Sequence, residues 1–161
     1  MHYSKKLFLS LLILTSTSVF AAEKCLSGEE VPSQQQVKAL FDEWNTALQT
    51  KNPDKVTAEY AKNAVLLPTL SNTPRTNHAE IRAYFVDFLK KNPVATIDKQ
   101  VMTGGCNWAS DTGIYTFQLT DPEKGRASTQ ARFSFVYERI DGQWMIVSHH
   151  SSLMPETEEN N

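Results

Sequence analysis

The spacing of apolar residues changes near Ala95, and this change limits the possible folds more than any other feature. Before it, apolar residues recur every three or four positions, as on one face of a helix. After it, they alternate with the two-residue period of a strand. Helices followed by a run of strands are typical of an α+β domain. We therefore predict three N-terminal helices packed on a curved antiparallel sheet.

The three predicted helices have recognisable starts. Ser33, Asn52 and Asn77 precede them as side-chain caps. The third helix ends before Pro93, because the residue before a proline disfavours helical geometry. A short strand over 65–67 is predicted between the second and third helices.

Four strands are predicted after the third helix. Gly104 and Gly105 are interpreted as a bulge or bend within the first of them, and Asp111 as a turn residue after it. The sequence Asp141–Gly142 predicts a tight hairpin before the last strand. The predicted strand ranges are 97–108, 114–119, 127–139 and 144–151.

The first 21 residues have the organisation of a cleavable signal peptide. Lys5 and Lys6 precede an apolar run over 7–14, and Val19 and Ala21 occupy the small-residue positions before the cleavage site. The run is shorter than the roughly 20 residues that a membrane-spanning helix needs. We predict cleavage after Ala21, export to the periplasm or the medium, and no membrane attachment afterwards.

Export makes a disulfide the expected state of the two cysteines, Cys25 and Cys106. It would tie an N-terminal extension over 22–32 to the main domain; two separate buried thiols are the alternative. The domain is predicted to span 33–154. The tail over 155–161 contains three glutamates and no apolar residue, so we expect it to be disordered.

Charge and residue spacing argue against several kinds of function. The leader contains two lysines and no acid, so the mature chain is net negative and lacks the clustered cations that nucleic acid requires. His149 and His150 are adjacent on a strand and point to opposite faces, and in the mature chain only His78 adds another imidazole, so no metal site is predicted. Ser151 and Ser152 lack the Gly-x-Ser-x-Gly turn of a hydrolase. No cofactor is predicted.

The chain resembles the nuclear transport factor 2-like superfamily. Within it, the chain is most similar to the association domain of calcium/calmodulin-dependent protein kinase II and its stand-alone bacterial relatives, over about residues 33–155. The blocks that carry the resemblance are Pro68–Ser71, Arg75, Gly105–Trp108, Gly113–Phe117, Asp141–Trp144 and Ser148–Ser152. The resemblance implies a cone with a cavity between helices and sheet, in a dimer or larger homo-oligomer. In the kinase domains this cavity contains arginines and can hold a small carboxylate.

Four side chains are predicted to line that cavity: Arg132, Arg75, His150 and Tyr60. Arg132 lies in an otherwise apolar strand, where a guanidinium could bind a carboxylate with two hydrogen bonds. Strand alternation alone leaves its face undecided. Arg75 precedes a helix N-terminus, which also favours anions. His150 could instead be a structural histidine of the sheet.

Three functions therefore remain open. The leading hypothesis is an exported, non-catalytic homo-oligomer that binds a small, anionic molecule. An isomerase, dehydratase or cyclase is the first alternative, and it would need a buried carboxylate base facing a donor such as Tyr60, Tyr84 or Tyr115. No acid with such a position is identified in the sequence. A structural interaction module, with the cavity filled by aromatic side chains, is the second alternative.

Overall fold

The structure is a computed structural model that describes Cys25 and residues 31–121 and 125–155. The predicted signal peptide over 1–21, most of the 22–32 extension and nearly all of the predicted tail lie outside these described residues. Among the described helices, none has the length and apolar character needed to cross a membrane.

The described chain forms helices and strands in the predicted order. The helices are α1 (Gln34–Gln49), α2 (Pro53–Ala58) and α3 (His78–Phe88), with one 3₁₀ turn at Leu89–Lys91. The strands are β1 (Tyr60–Leu67), β2 (Val94–Gly104), β3 (Trp108–Asp121), β4 (Gly125–Ile140) and β5 (Gln143–Leu153). All three predicted caps are confirmed: the side chains of Ser33, Asn52 and Asn77 each accept a hydrogen bond from the first turn of their helix.

The five strands form one curved sheet in the order β1-β5-β4-β3-β2. The predicted α+β class, with helices on one face of the sheet, is confirmed. The wholly antiparallel arrangement is corrected, because β1 runs parallel to β5 with Leu66 opposite His149. This pairing joins strands that are far apart in sequence, so no turn or hairpin motif marks it. β1 is also longer than the predicted 65–67 segment.

The interpretation of Gly104 and Gly105 as a bulge in one long strand is wrong. The chain reverses between β2 and β3, where the Gly105 amide donates to the Trp108 carbonyl at 2.9 Å. A β-carbon at Gly105 would lie 2.3 Å from the Trp108 indole nitrogen, so a side chain at this position would displace the Trp108 ring. β3 is therefore continuous from Trp108, and Asp111 lies in mid-strand.

Aromatic packing holds α1 across the inner face of the sheet. Phe41 and Trp44 on α1 contact Phe135 on β4, with the Trp44 and Phe135 ring centroids 5.1 Å apart. Asn45 fixes the register of α1, because its side-chain amide bonds both the N–H and the C=O of Ala95 on the edge strand β2. Buried aromatic area of this size is a main source of stability.

Cys25 and Cys106 form the predicted disulfide, with their Cα atoms 5.5 Å apart. Cys25 is buried, and Cys106 lies in the β2–β3 turn. The bond spans 81 positions of the chain. It therefore anchors Cys25 to the end of the sheet.

Loss of the disulfide is expected to lower the free energy of unfolding by about 2–4 kcal/mol, because the unfolded chain loses the constraint of a long closed loop. Urea unfolding with and without reductant measures this change. The double variant Cys25→Ser, Cys106→Ser is the control, and its stability should not respond to reductant. An unchanged urea midpoint for the reduced natural sequence would contradict the expectation.

Candidate functional site

A buried hydrogen-bond chain links α1, β1 and β5 inside the cone. The Trp44 indole Nε1 donates to the Tyr60 hydroxyl at 3.0 Å, and that hydroxyl lies 2.8 Å from His149 Nδ1. An indole N–H can only donate, so the Tyr60 oxygen accepts this bond. Nδ1 of His149 is the acceptor that the described residues offer to the Tyr60 proton, so a bond from Tyr60 to Nδ1 satisfies both groups and places the ring proton on Nε2.

The surroundings of His149 keep its ring neutral. Burial lowers the pKa of the imidazole to about 3, and the neighbouring His150 adds to the shift. The ring stacks on Phe135, with centroids 4.0 Å apart. Its Nε2 is buried and has no hydrogen-bond partner among the residues that the structure describes. The cone thus contains a buried N–H donor, His149 Nε2, for which the described residues provide no acceptor.

His149 lines a small cavity between the helices and the sheet. The cavity volume is about 20 Å³, which is room for a single water molecule. Aromatic and polar side chains make up most of its lining, and they are Trp44, Thr69, Tyr84, Phe85, Phe88, Tyr115, Phe117, His149 and Ser151. None of the described lining residues is an arginine or lysine.

Three hydroxyl groups form a second polar cluster in this cavity. The Tyr115 hydroxyl donates to Ser151 Oγ at 2.6 Å, and Ser151 Oγ is also hydrogen-bonded to Thr69 Oγ1. Thr69 reaches the cavity from the loop after β1. Two backbone hydrogen bonds between Leu66 and Arg75 close that loop, at 2.8 and 2.9 Å. The same bridge holds Arg75 outside the cavity, beside α3.

An open groove of about 440 Å³ runs along α3 next to the cavity. Its lining consists of Leu70, Arg75, Glu80, Ala83, Tyr84, Asp87, Phe88 and Lys91. Tyr84 and Phe88 line both the groove and the cavity and stack on each other. Burial raises the pKa of Tyr84 to about 12, and the nearby positive charge of Arg75 opposes that shift.

The groove is lined by two cations, Arg75 and Lys91, and two acids, Glu80 and Asp87. The backbone hydrogen bond from Thr76 lowers the pKa of Glu80, and the charge of Arg75 adds to that shift. Glu80 accepts from the Thr76 backbone N–H at 2.8 Å, and Asp87 accepts from Lys90 at 2.6 Å. Within the described ranges, the ion pairs found within 4.0 Å include neither Arg75 nor Lys91. The Arg75 guanidinium donates a hydrogen bond to Ser71 Oγ at 3.1 Å.

The structure separates the four predicted site residues. Arg132 and His150 are exposed on the sheet face opposite the helices, so their placement in the cavity is corrected. For His150 the reason is a β-bulge: β5 has one extra residue between Ile146 and Ser148, which turns His149 inward and His150 outward. Tyr60 is on the inner side but fully buried, with its hydroxyl engaged by Trp44 and His149. Arg75 lies in the open groove.

Sequence reasoning missed a buried acid, Asp111. It points inward from β3 and is fully buried, and both of its carboxylate oxygens accept from Gln100 Nε2 at 3.1 Å. Burial raises the pKa of Asp111 to about 6, although the bond from Gln100 opposes the shift. Asp111 lines neither the cavity nor the groove. It therefore does not provide the base that an isomerase-type reaction in the cone would require.

No group of three or more His, Cys, Asp or Glu side chains suited to a metal ion occurs in the part of the chain that the structure describes. The polar groups of the cavity are uncharged hydrogen-bonding groups. The groove contains both positively and negatively charged side chains. The arrangement is suited to hydrogen bonding and anion contact.

Comparison with known proteins agrees with this architecture. The family model of the calcium/calmodulin dependent protein kinase II association domain matches residues 33–155. A crystal structure of a candidate association domain of this kind from Xanthomonas campestris has 46% sequence identity and a TM-score of 0.76, covering 78% of this chain and 91% of that chain. Comparison with curated proteins gives no match.

More distant structures share the fold alone. The association domain of the C. elegans kinase has 17% identity and a TM-score of 0.62, covering 74% of this chain and 94% of that chain. An NTF2-like protein with a cystatin-like fold from Novosphingobium aromaticivorans has 8% identity and a TM-score of 0.64, covering 78% and 84%. The described domain therefore has the nuclear transport factor 2-like fold.

The buried position of Asp111 predicts a pH-dependent effect of Asp111→Asn. Because the pKa of Asp111 is raised to about 6 in the folded protein, ionisation above that pH destabilises the native state. We expect the variant to be more stable than the natural sequence at pH 8, by about 1–2 kcal/mol. The advantage should shrink as the pH falls through 6 and vanish below about 4, where the carboxyl is protonated in both states.

Urea unfolding at pH 8 and pH 4 tests this expectation. Asp141→Asn, at an exposed position in the β4–β5 turn, is the matched control for the loss of one carboxyl group. A stability difference for Asp111→Asn that is equal at both pH values would refute the argument.

Proposed function

Because this chain belongs to the calcium/calmodulin-dependent protein kinase II association domain family, we propose that it is an exported homo-oligomer that binds a small anionic molecule without catalysis. The anion site is the groove of Arg75 and Lys91, outside the cone cavity. The observation that carries this proposal is the presence of Arg75 and Lys91 in an open groove, neither of them in an ion pair within 4.0 Å among the described residues.

The groove has properties expected of a small-molecule site. Its volume of about 440 Å³ lies within the usual range for ligand pockets, roughly 300–1,000 Å³. Leu70 and the paired rings of Tyr84 and Phe88 offer apolar contact, and the Arg75 guanidinium offers hydrogen bonds to a carboxylate. The backbone bridge from Leu66 to Arg75 fixes the arginine in advance, which reduces the entropy lost on binding.

The proposed subunit contact is the sheet face opposite the helices. The described helices pack on the inner face and leave the outer face of β3, β4 and β5 open. Ile114 and Val136 are half-buried apolar residues of this face, with the polar pair Thr112 and Ser134 between them. Arg132 and His150 are exposed polar residues of the same face. Membership of an association-domain family supports a contact between copies of this chain.

The proposal that the protein is exported rests on two features. The predicted signal peptide over 1–21 would direct the chain out of the cytoplasm. The disulfide between Cys25 and Cys106 is consistent with an oxidising compartment. We propose that the mature protein works in the periplasm or is secreted.

A structural association module is the second candidate. The observation that favours it is the near-complete filling of the cone by aromatic side chains, which leaves about 20 Å³. In that case the groove would have no ligand, and the sheet face would be the working surface. An isomerase, dehydratase or cyclase is less well supported, because Asp111 lies away from both the cavity and the groove.

Arg75→Ala is expected to weaken carboxylate binding by about tenfold or more, since a charge-assisted hydrogen-bonding partner is lost. Isothermal titration and thermal unfolding with pentanoate and butanedioate measure the effect. Arg126→Ala removes an exposed arginine near the start of β4 and is the matched control. Equal binding by the two variants would count against the groove, and no binding by the natural sequence would favour the structural module.

Val136→Glu is expected to reduce the oligomer to a smaller species, because it places a charge at a half-buried apolar position of the proposed interface. Light scattering coupled to size exclusion measures the mass, and circular dichroism verifies the fold. Gln35→Glu, on the exposed face of α1, is the control and should keep the original mass. An unchanged mass for Val136→Glu would show that the contact lies elsewhere.

A further inference from the structure

Two opposite charges lie on the outer side of β4, the side of the sheet that faces away from the helices. Arg132 and Glu138 are exposed there, whereas alternate residues of this part of the strand are buried. Within the described ranges, the ion pairs found within 4.0 Å include neither side chain. Arg132 donates a hydrogen bond to the Leu153 carbonyl at 3.4 Å. Neither charge is therefore matched by an opposite charge of the same subunit at that distance.

The two charges are too far apart to contact each other, and each has an apolar neighbour on β3. Six positions along β4 correspond to roughly 20 Å in a strand. The strand register places Ile114 opposite Arg132 and Trp108 opposite Glu138. Trp108 is 41% exposed and Ile114 is half-buried. Each end of this strand pair thus has one charge and one apolar side chain, and the sign of the charge differs between the ends.

We infer that two copies of this chain pack through this face about a twofold axis that runs across the strands, so that Arg132 of each copy contacts the partner's Glu138. The inference rests on the sheet contact of the proposed function and specifies its register. The axis passes over Phe135, which lies midway between the two charges. The same rotation sets Trp108 of each copy against the partner's Ile114, so charge meets opposite charge while apolar area is buried.

The middle of the proposed contact has no charge to oppose it. The outward side chains of β3 and β4 between the two ends are uncharged, and they are Ser110, Thr112, Ser134 and Val136. The rotation places Ser110 opposite the partner's Thr112, and two hydroxyl groups can form a hydrogen bond with each other. Three of the four side chains are small, which allows the two sheets to approach to the usual spacing of about 10 Å.

Charge favours this axis over the other one that a face-to-face pair of sheets allows. An axis along the strands would keep each residue at the same level as its counterpart in the partner. Lys99 on β2 is exposed and lies opposite Ile114, at the level of Arg132. That arrangement would bring the positive end of one sheet against the positive end of the other, which is unfavourable. The axis across the strands avoids this repulsion.

Reversing one charge tests the register. Arg132→Glu would set glutamates against glutamates at both ends of the twofold contact, and Glu138→Arg would do the same with arginines. We expect each variant to self-associate at least about tenfold more weakly than the natural sequence, because like charges meet. Sedimentation velocity over a concentration series measures the association, and circular dichroism verifies the fold.

A mixture of the two single variants distinguishes this register from a general effect of net charge. A chain with Arg132→Glu and a chain with Glu138→Arg have opposite charges at both ends of their contact. They should therefore associate with each other within about threefold of the natural affinity, and the double variant should recover self-association in the same way. Arg126→Glu reverses an exposed charge of β4 beyond this stretch and is the control, which should keep the natural mass.

The outcomes separate the register from the sheet contact itself. If Val136→Glu lowers the mass but the two charge reversals do not, or if their mixture fails to recover it, the sheet contact stands and the register is refuted. If Val136→Glu and both charge reversals keep the natural mass, or if the natural sequence is monomeric, the sheet contact fails and the register fails with it.

Discussion

The hydrogen-bond chain from Trp44 through Tyr60 to His149 ties the centre of this fold together. Its three members come from α1, β1 and β5, elements that no short turn connects. The chain satisfies the polar atoms of two large buried rings, so their burial adds stability without an unpaired donor on Trp44 or Tyr60. The same bonds decide the tautomer of His149, which makes a structural constraint also determine the chemistry of the cavity.

Packing around these hydrogen bonds explains why no charged side chain is found in the described lining of the cone cavity. Phe135 stacks on His149, and Phe41 and Trp44 close the space between α1 and the sheet. Burial then holds the imidazole neutral and leaves a space of about 20 Å³. A cation in such a space would lose its hydration. The cations near the cone accordingly lie in the open groove, with Arg75 held by its backbone bridge to Leu66.

Local signals in the sequence predicted the helices and most strands, because caps and apolar periods act within a few residues. The wrong predictions concern strands that pair although they are far apart in the sequence. Nothing near β1 indicates that Leu66 will lie parallel beside His149. The β-bulge after Ile146 has no sequence signature, and one extra residue exchanges the faces of His149 and His150. Asp111 was misread because Gly104 and Gly105 were interpreted as a bulge, which shifted the start of β3.

The exchange of faces on β5 changes what the family resemblance means for this chain. The resemblance led to an arginine-lined cavity, yet Arg132 is exposed on the outer face and the described cavity lining has no cation. The fold is kept because its core depends on aromatic area and strand pairing, which tolerate different inner polar groups. Ser151 and His149 take up inner positions as neutral hydrogen-bonding groups. The cone thus keeps its architecture while its described cavity lining has no cation, and Arg75 and Lys91 line the open groove beside it.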